Sequence, residues 1–139
     1  MFDSVVVGAD DSPTAAQAVE AAIELVKIVG GALHVVTAYK PTSGGASGLP
    51  SEFQNVVLSN GRAQGLLDDL ASRARAGSVT VKTHALKSDP VDALIAVAER
   101  EKADLIVVGS KGMQRRVLAS VPNSVAHQAP CSVLIVKTT

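Results

Sequence analysis

Aromatic side chains are almost missing from this chain, with two phenylalanines, one tyrosine and no tryptophan among 139 residues. The base-stacking platforms of single-strand nucleic-acid binders need more rings than that. Although 47% of the residues are hydrophobic, the core must therefore be built from valine, leucine, isoleucine and alanine. Net charge is missing too. The 13 basic and 13 acidic residues cancel, so no overall field draws the chain to nucleic acid or to an anionic membrane, and any phosphate site has to be local. The single cysteine, Cys131, excludes an internal disulfide and a cysteine metal cluster. Lying between Pro130 and a valine-rich strand, it reads as a small buried hydrophobe. No apolar run reaches the roughly 18 residues that cross a bilayer. The opening Met-Phe-Asp-Ser lacks the basic region and cleavage site of a secretion signal. The expectation is a single domain over residues 1–139, in a reducing cytoplasm, with neither nucleic acid nor membrane as partner.

What is present is an alternation of short apolar runs with longer stretches of helical period. Val5–Gly8, Leu33–Ala38, Val79–Leu86, Leu105–Gly109 and Val133–Val136 read as five strands. The first, fourth and fifth are nearly continuous aliphatic runs, which places them at the centre of the sheet. Ser12-Pro13 starts a helix whose apolar stripe, Ala15, Val19, Ala22, Ile23 and Val26, ends at Gly30-Gly31. Asp89-Pro90 starts another, buried through Leu94, Ile95, Val97 and Ala98 up to Glu101. Between them, Phe53–Arg75 keeps helical spacing through Ala63, Leu67, Leu70 and Ala74, with Asn60-Gly61 as a point where it loosens or breaks. A short last helix runs through Val125, His127 and Ala129, with Ser120 as its N-cap and Pro122 in its first turn. The turn formers of Pro41–Pro50 read as a mobile surface loop, either a plain connection or a lid near the ligand mouth.

Strand alternating with helix implies an α/β fold, a five-stranded parallel sheet with right-handed crossovers and helices on both faces. In such Rossmann-like sheets ligands bind beyond the carboxyl ends of the strands, where strand order reverses. Three segments should meet there: Gly8-Ala9-Asp10-Asp11-Ser12, Thr37-Ala38-Tyr39 and Gly109-Ser110-Lys111-Gly112. The last follows Asp104-Leu-Ile-Val-Val, a buried strand running straight into a glycine-spaced loop, where the backbone can approach a phosphate closely. Asp10 is the better placed of the two acidic residues for a ribose hydroxyl or a magnesium ion; the plainer alternative is that it, Asp11 or Ser12 caps the helix. The helix start near Ser120 offers free N–H groups to an anion. Lys111, Arg115 and Arg116 either reach a phosphate or are simply solvated.

A catalytic set is not visible. His34, His84 and His127 have no serine or cysteine nucleophile in a recognisable context, and spacing such as His-x-x-x-His is absent. They read as structural or surface residues.

Asp-Leu-Ile-Val-Val-Gly-Ser-Lys-Gly, followed by Ala-Ser-Val-Pro-Asn-Ser-Val and Ala-Pro-Cys-Ser-Val-Leu-Ile-Val, resembles the C-terminal signature of the universal stress protein family. Val-Val-Val-Gly-Ala-Asp-Asp-Ser-Pro is similar to that family's first strand-to-helix turn. The resemblance spans essentially the whole chain. It implies an adenine nucleotide alpha hydrolase-like fold and ATP or another adenine nucleotide as ligand, with magnesium as an optional companion. It also implies a homodimer joined by antiparallel pairing of the last strand, Ser132–Lys137, across its exposed edge. Carried over by position, Asp10 meets the ribose, Ala38 the adenine region, and Ala9 and Val108 flank base or sugar. Gly109, Gly112, Ala119, Ser120 and Val121 form the phosphate side.

The chain also departs from the family's nucleotide-binding pattern, which is Gly, two residues, Gly, nine residues, then Gly before Ser or Thr. Counted from Gly112, that interval ends on Pro122-Asn123. With the Ser-Val-Pro segment aligned instead, Ala119-Ser120 stands for Gly-Ser, and six residues, Met113–Leu118, fill the interval. A loop shortened by three and closed by alanine suits AMP, ADP or cyclic AMP better than a triphosphate, because alanine resists φ > 0 and its methyl holds a ligand oxygen away. Ser88, before Asp89-Pro90, is a smaller departure on the same rim. Two other functions compete. The first is an interaction module of the same fold with a degraded pocket. The second is a flavodoxin-like phosphoacceptor, whose required aspartate and lysine positions Asp89 and Lys111 fit poorly.

Overall fold

A computed structural model describes residues 1–10, 12–39, 60–110 and 121–138. Five strands, β1 (Ser4–Gly8), β2 (Ala32–Tyr39), β3 (Thr80–Lys87), β4 (Leu105–Gly109) and β5 (Ser132–Val136), form one sheet in the order β3-β2-β1-β4-β5. Every neighbouring pair is parallel. Among the described residues, four helices lie between them: α1 (Pro13–Val29), α2 (Asn60–Ala76), α3 (Pro90–Arg100) and α4 (Val121–Gln128). The α/β sheet with helices on both faces is as the sequence implied.

Strand pleating sorts the aliphatic run of each central strand to two sides. Val5, Val7, Leu33, Val35, Leu105 and Val107 pack with α1 and α2 into one core. Val6, Val36, Ile106 and Val108 pack with α3 and α4 into a second. Val5, Val6 and Val7 are wholly buried, each contributing about 1.5–3 kcal/mol relative to exposure.

The helix starts are built as their sequences suggest. Ser12 Oγ accepts from the backbone N–H of Ala15 at 3.2 Å, and Asp89 Oδ1 accepts from that of Asp92 at 3.0 Å. α1 ends on Gly30 at φ 79°, the left-handed turn that glycine adopts freely. Asn60 and Gly61 are the first two described residues of α2. Its expected beginning at Phe53 lies outside the described residues, as do the Pro41–Pro50 segment and the Ser120 cap of α4.

One placement differs from the sequence reading. β5 is an edge strand, not a central one; β2 takes the inner place despite His34 and Thr37. Aliphatic content misled because β5 is apolar without being covered on both faces: Ser132 and Leu134 are exposed. The two polar interruptions of β2, by contrast, are buried and bonded, with His34 4% and Thr37 2% exposed. Cys131 also differs, being half-buried against the α3–α4 core rather than fully enclosed. That partial burial, with the nearby Asp104 carboxylate, raises its thiol pKa and keeps it protonated.

Candidate functional site

Strand order reverses between β1 and β4, so the carboxyl ends of these two strands bound the crevice. β1 extends past its last residue because the Ala9 N–H donates to the Val36 carbonyl at 2.9 Å. Thr37 Oγ1 then donates to the Ala9 carbonyl at 2.7 Å, locking that peptide to β2. Immediately beyond, the Asp10 carboxylate accepts from the Ser12 N–H at 2.8 Å. This tight turn hands the chain to the Ser12 cap. Ser12, not Asp10, therefore caps α1, and Asp10 stays exposed at the mouth.

Gly109 faces α1 from the other side of the crevice. A Cβ at this position would sit 3.7 Å from the Thr14 carbonyl oxygen and 3.2 Å from Thr138 Cγ2. The bare backbone thus lets the end of β4 lie close against the first turn of α1. β4 and β5 stay paired beyond their last residues, since the Ser110 N–H donates to the Val136 carbonyl at 2.8 Å. Ser110 Oγ accepts from the Thr138 N–H at 2.9 Å. Thr138 is a rim residue that sequence reasoning missed, because nothing in Lys-Thr-Thr signals a return to the β4 loop.

The other candidates are divided by the sheet. Val108, Ala38 and Val121 all belong to the apolar cluster on the α3–α4 face, whereas Ala9 packs toward α1. The structure accordingly places Ala9, Asp10 and Gly109 at or just past the ends of the adjacent strands β1 and β4, with Ala38 and Val121 partly buried and Val108 buried on the α3–α4 face. Gly112, Ala119 and Ser120 lie outside the described residues, with Asp11, Lys111, Arg115 and Arg116.

A second polar cluster, which reading along the chain did not connect, lies toward the opposite edge of the sheet. His34 Nδ1 and His84 Nε2 are 3.0 Å apart, and Arg100 Nη2 reaches His84 Nδ1 at 3.1 Å. Burial holds both imidazoles below their ordinary pKa, with the nearby Arg100 and Lys82 cations pushing the same way and Glu101 opposing. Both rings are neutral at neutral pH.

The universal stress protein family model matches residues 1–137, and the chain belongs to that family. Universal stress protein Rv1636 of Mycobacterium tuberculosis is 35% identical over 144 residues, covering 99% of this chain and 98% of its own. Universal stress protein YxiE of Bacillus subtilis is 28% identical over 148 residues, covering 99% and 100%. Among solved structures, a universal stress protein in complex with cAMP superposes with a TM-score of 0.80 at 32% identity, covering 99% of this chain and 98% of that one. Among the described residues, no helix is long and apolar enough to cross a membrane.

Proposed function

We propose that this chain is an adenine-nucleotide-binding regulator rather than an enzyme, acting as one domain over residues 1–139. The observation that carries the reading is the crevice between β1 and β4. There Asp10 stands at one lip, and the side-chain-free Gly109 faces the first turn of α1 across the gap. A carboxylate held by its own turn accepts ribose hydroxyls, and the positive dipole end of a helix attracts phosphate. Ala38 and Val121, both partly buried, offer the base an apolar flank on the α3–α4 face, and Val108 packs into the core of that face. In this reading Ala9 borders the sugar, and Gly112, Ala119 and Ser120 keep the phosphate role that the family resemblance implies.

The relative solved with cAMP supports the ligand class. Ligands with one phosphate, AMP or cyclic AMP, suit the shortened loop best; ATP, with magnesium as its companion, makes the largest demand on it. The protein works in the cytoplasm as a homodimer joined through β5, whose outer edge is unpaired among the described residues and whose Leu134 is 42% exposed. Neither nucleic acid nor membrane is a partner in this reading.

Asp10→Ala and Gly109→Val test the site. Each should weaken nucleotide binding by at least about tenfold, or about 1.4 kcal/mol, with an unchanged circular dichroism spectrum. At Gly109 the nearest obstacle is the terminal methyl of Thr138, which can yield. Full binding by both variants would move the ligand elsewhere, and no binding by the wild type would leave the fold as an interaction module.

A further inference from the structure

The cluster on β2, the edge strand β3 and the end of α3 offers three ligating side chains from three elements. His34 is buried on β2, His84 is half-buried on β3, and Glu101 follows the last turn of α3. One ligand atom from each lies within 4.8 Å of the other two. We propose that His34, His84 and Glu101 form a divalent metal site that takes Zn2+, separate from the nucleotide crevice.

Register places these groups together. β2 and β3 pair His34 with Lys82 and Val36 with His84, so the two histidines sit one same-face step apart on adjacent strands. Their rings are tilted by 37° with centroids 5.2 Å apart. The two facing nitrogens, at 3.0 Å, are only slightly closer than two ligands on a tetrahedral ion with Zn–N of about 2.0–2.1 Å. A small opening of the pair admits the ion.

Glu101 is held in position by its own backbone. Its N–H donates to the Val97 carbonyl at 2.9 Å, Lys102 takes the left-handed conformation at φ 52°, and the Ala103 N–H returns to the Ala98 carbonyl at 2.8 Å. With that turn fixed, side-chain rotation alone carries the carboxylate toward the nitrogens. Two imidazoles and one carboxylate suit zinc among divalent cations, and the half-buried side leaves a fourth position for water.

Arg100 determines how the site opens. A guanidinium donates only, so the Arg100 contact leaves His84 Nδ1 unprotonated and puts the proton on Nε2, which donates to His34 Nδ1. Coordination through His84 Nε2 moves that proton to Nδ1, where it faces the Arg100 donors. Binding therefore requires Arg100 to swing away, with no net proton released. Arg100 can do so, since its side chain is 57% exposed and its nearest Glu101 contact is 3.8 Å. Lys82 and Arg100 oppose the incoming charge, and Glu101 balances part of it. Arg100 thus competes with the metal for the same histidine.

The test is titration of the full chain with Zn2+ in the absence of nucleotide, followed by calorimetry and by the absorption of the Co2+ form. One equivalent should bind, and Co2+ should give the intense visible bands of a tetrahedral site. His84→Gln and Glu101→Gln should each weaken Zn2+ binding by at least about tenfold, and Arg100→Gln should strengthen it by a similar factor. His127→Gln, on the exposed face of α4, should change nothing. Should a variant fail to fold, ring-nitrogen NMR of the wild type decides: Zn2+ must shift His34 Nδ1 and His84 Nε2 and leave His127 unmoved. Absence of binding to the wild type, binding undiminished in His84→Gln, or a shift confined to His127 would overturn the proposal.

Discussion

Thr37 Oγ1 donates to the Ala9 carbonyl at 2.7 Å, fixing the last peptide of β1 to the end of β2 just where the chain turns toward Asp10. Thr37 is only 2% exposed, so the donor is held by the sheet, and the half-buried Ala9 peptide is placed by the sheet rather than by the loop.

Thr37→Val keeps the shape of the side chain and removes that donor, leaving the Ala9 carbonyl without it. The expected cost is about 1–2 kcal/mol in urea denaturation. In the proposed site it also loosens the turn carrying Asp10, so nucleotide affinity should fall with the stability. A variant as stable as the wild type would show the bond to be replaceable by water.

Two glycines should respond in opposite directions to alanine. At Gly31 a Cβ would lie 2.6 Å from the Phe2 carbonyl oxygen and 2.7 Å from that of Asp3, both backbone atoms that cannot step aside. Gly31→Ala should therefore destabilise by about 1–3 kcal/mol. Gly65 lies within α2 with nothing within 4 Å of its Cβ position. Gly65→Ala should stabilise by about 0.5–1 kcal/mol through helix propensity alone. Paired denaturation midpoints check both.

Acid should weaken the fold partly through Asp104. Partial burial pushes its carboxyl upward, but the donors at Asp3 N (3.0 Å) and Ser4 N (3.2 Å) outweigh this, and its pKa lies below the ordinary value. The Cys131 thiol, which interacts with it, is neutral in this range. Because the folded pKa is depressed, the stabilisation is complete above the unfolded carboxylate value of roughly 4. It is lost as pH falls through the folded value. Asp104→Asn should be less stable than the wild type at neutral pH, with the gap closing as pH falls below roughly 4. A gap independent of pH would assign the loss to packing.

The proposed dimer predicts that the exposed edge strand is where two copies meet. Leu134→Glu adds a charge to β5 at an exposed position, with no core volume to fill. Light scattering should find the wild type dimeric and the variant shifted to monomer at the same concentration. A monomeric wild type would remove β5 from its proposed role.

Much of this architecture was legible because each local signal agreed with its neighbours. Ser12-Pro13 and Asp89-Pro90 marked two helix starts that the structure keeps. The aliphatic runs of β1 and β4 marked two strands covered on both faces. β5 was misplaced because a short apolar run does not say whether its second face is covered, and Leu134 shows that it is not. His34 and His84 were read apart because they are fifty positions distant, and only the β2–β3 register brings them within bonding distance. Thr138 was invisible for the same reason: its role depends on β5 lying beside β4. At the crevice, Asp10 and Gly109 followed from strand ends alone, and the division of labour between Asp10 and Ser12 needed geometry.

The central claim is the adenine-nucleotide site. Titration calorimetry of the purified protein with ATP, ADP, AMP and cyclic AMP, with and without magnesium, tests it most directly, after mass spectrometry for any co-purified nucleotide. The account predicts saturable heat for at least one of them at one site per chain and micromolar concentration, with the single-phosphate ligands ahead of ATP. No heat from any of the four, from protein free of bound nucleotide, would contradict it.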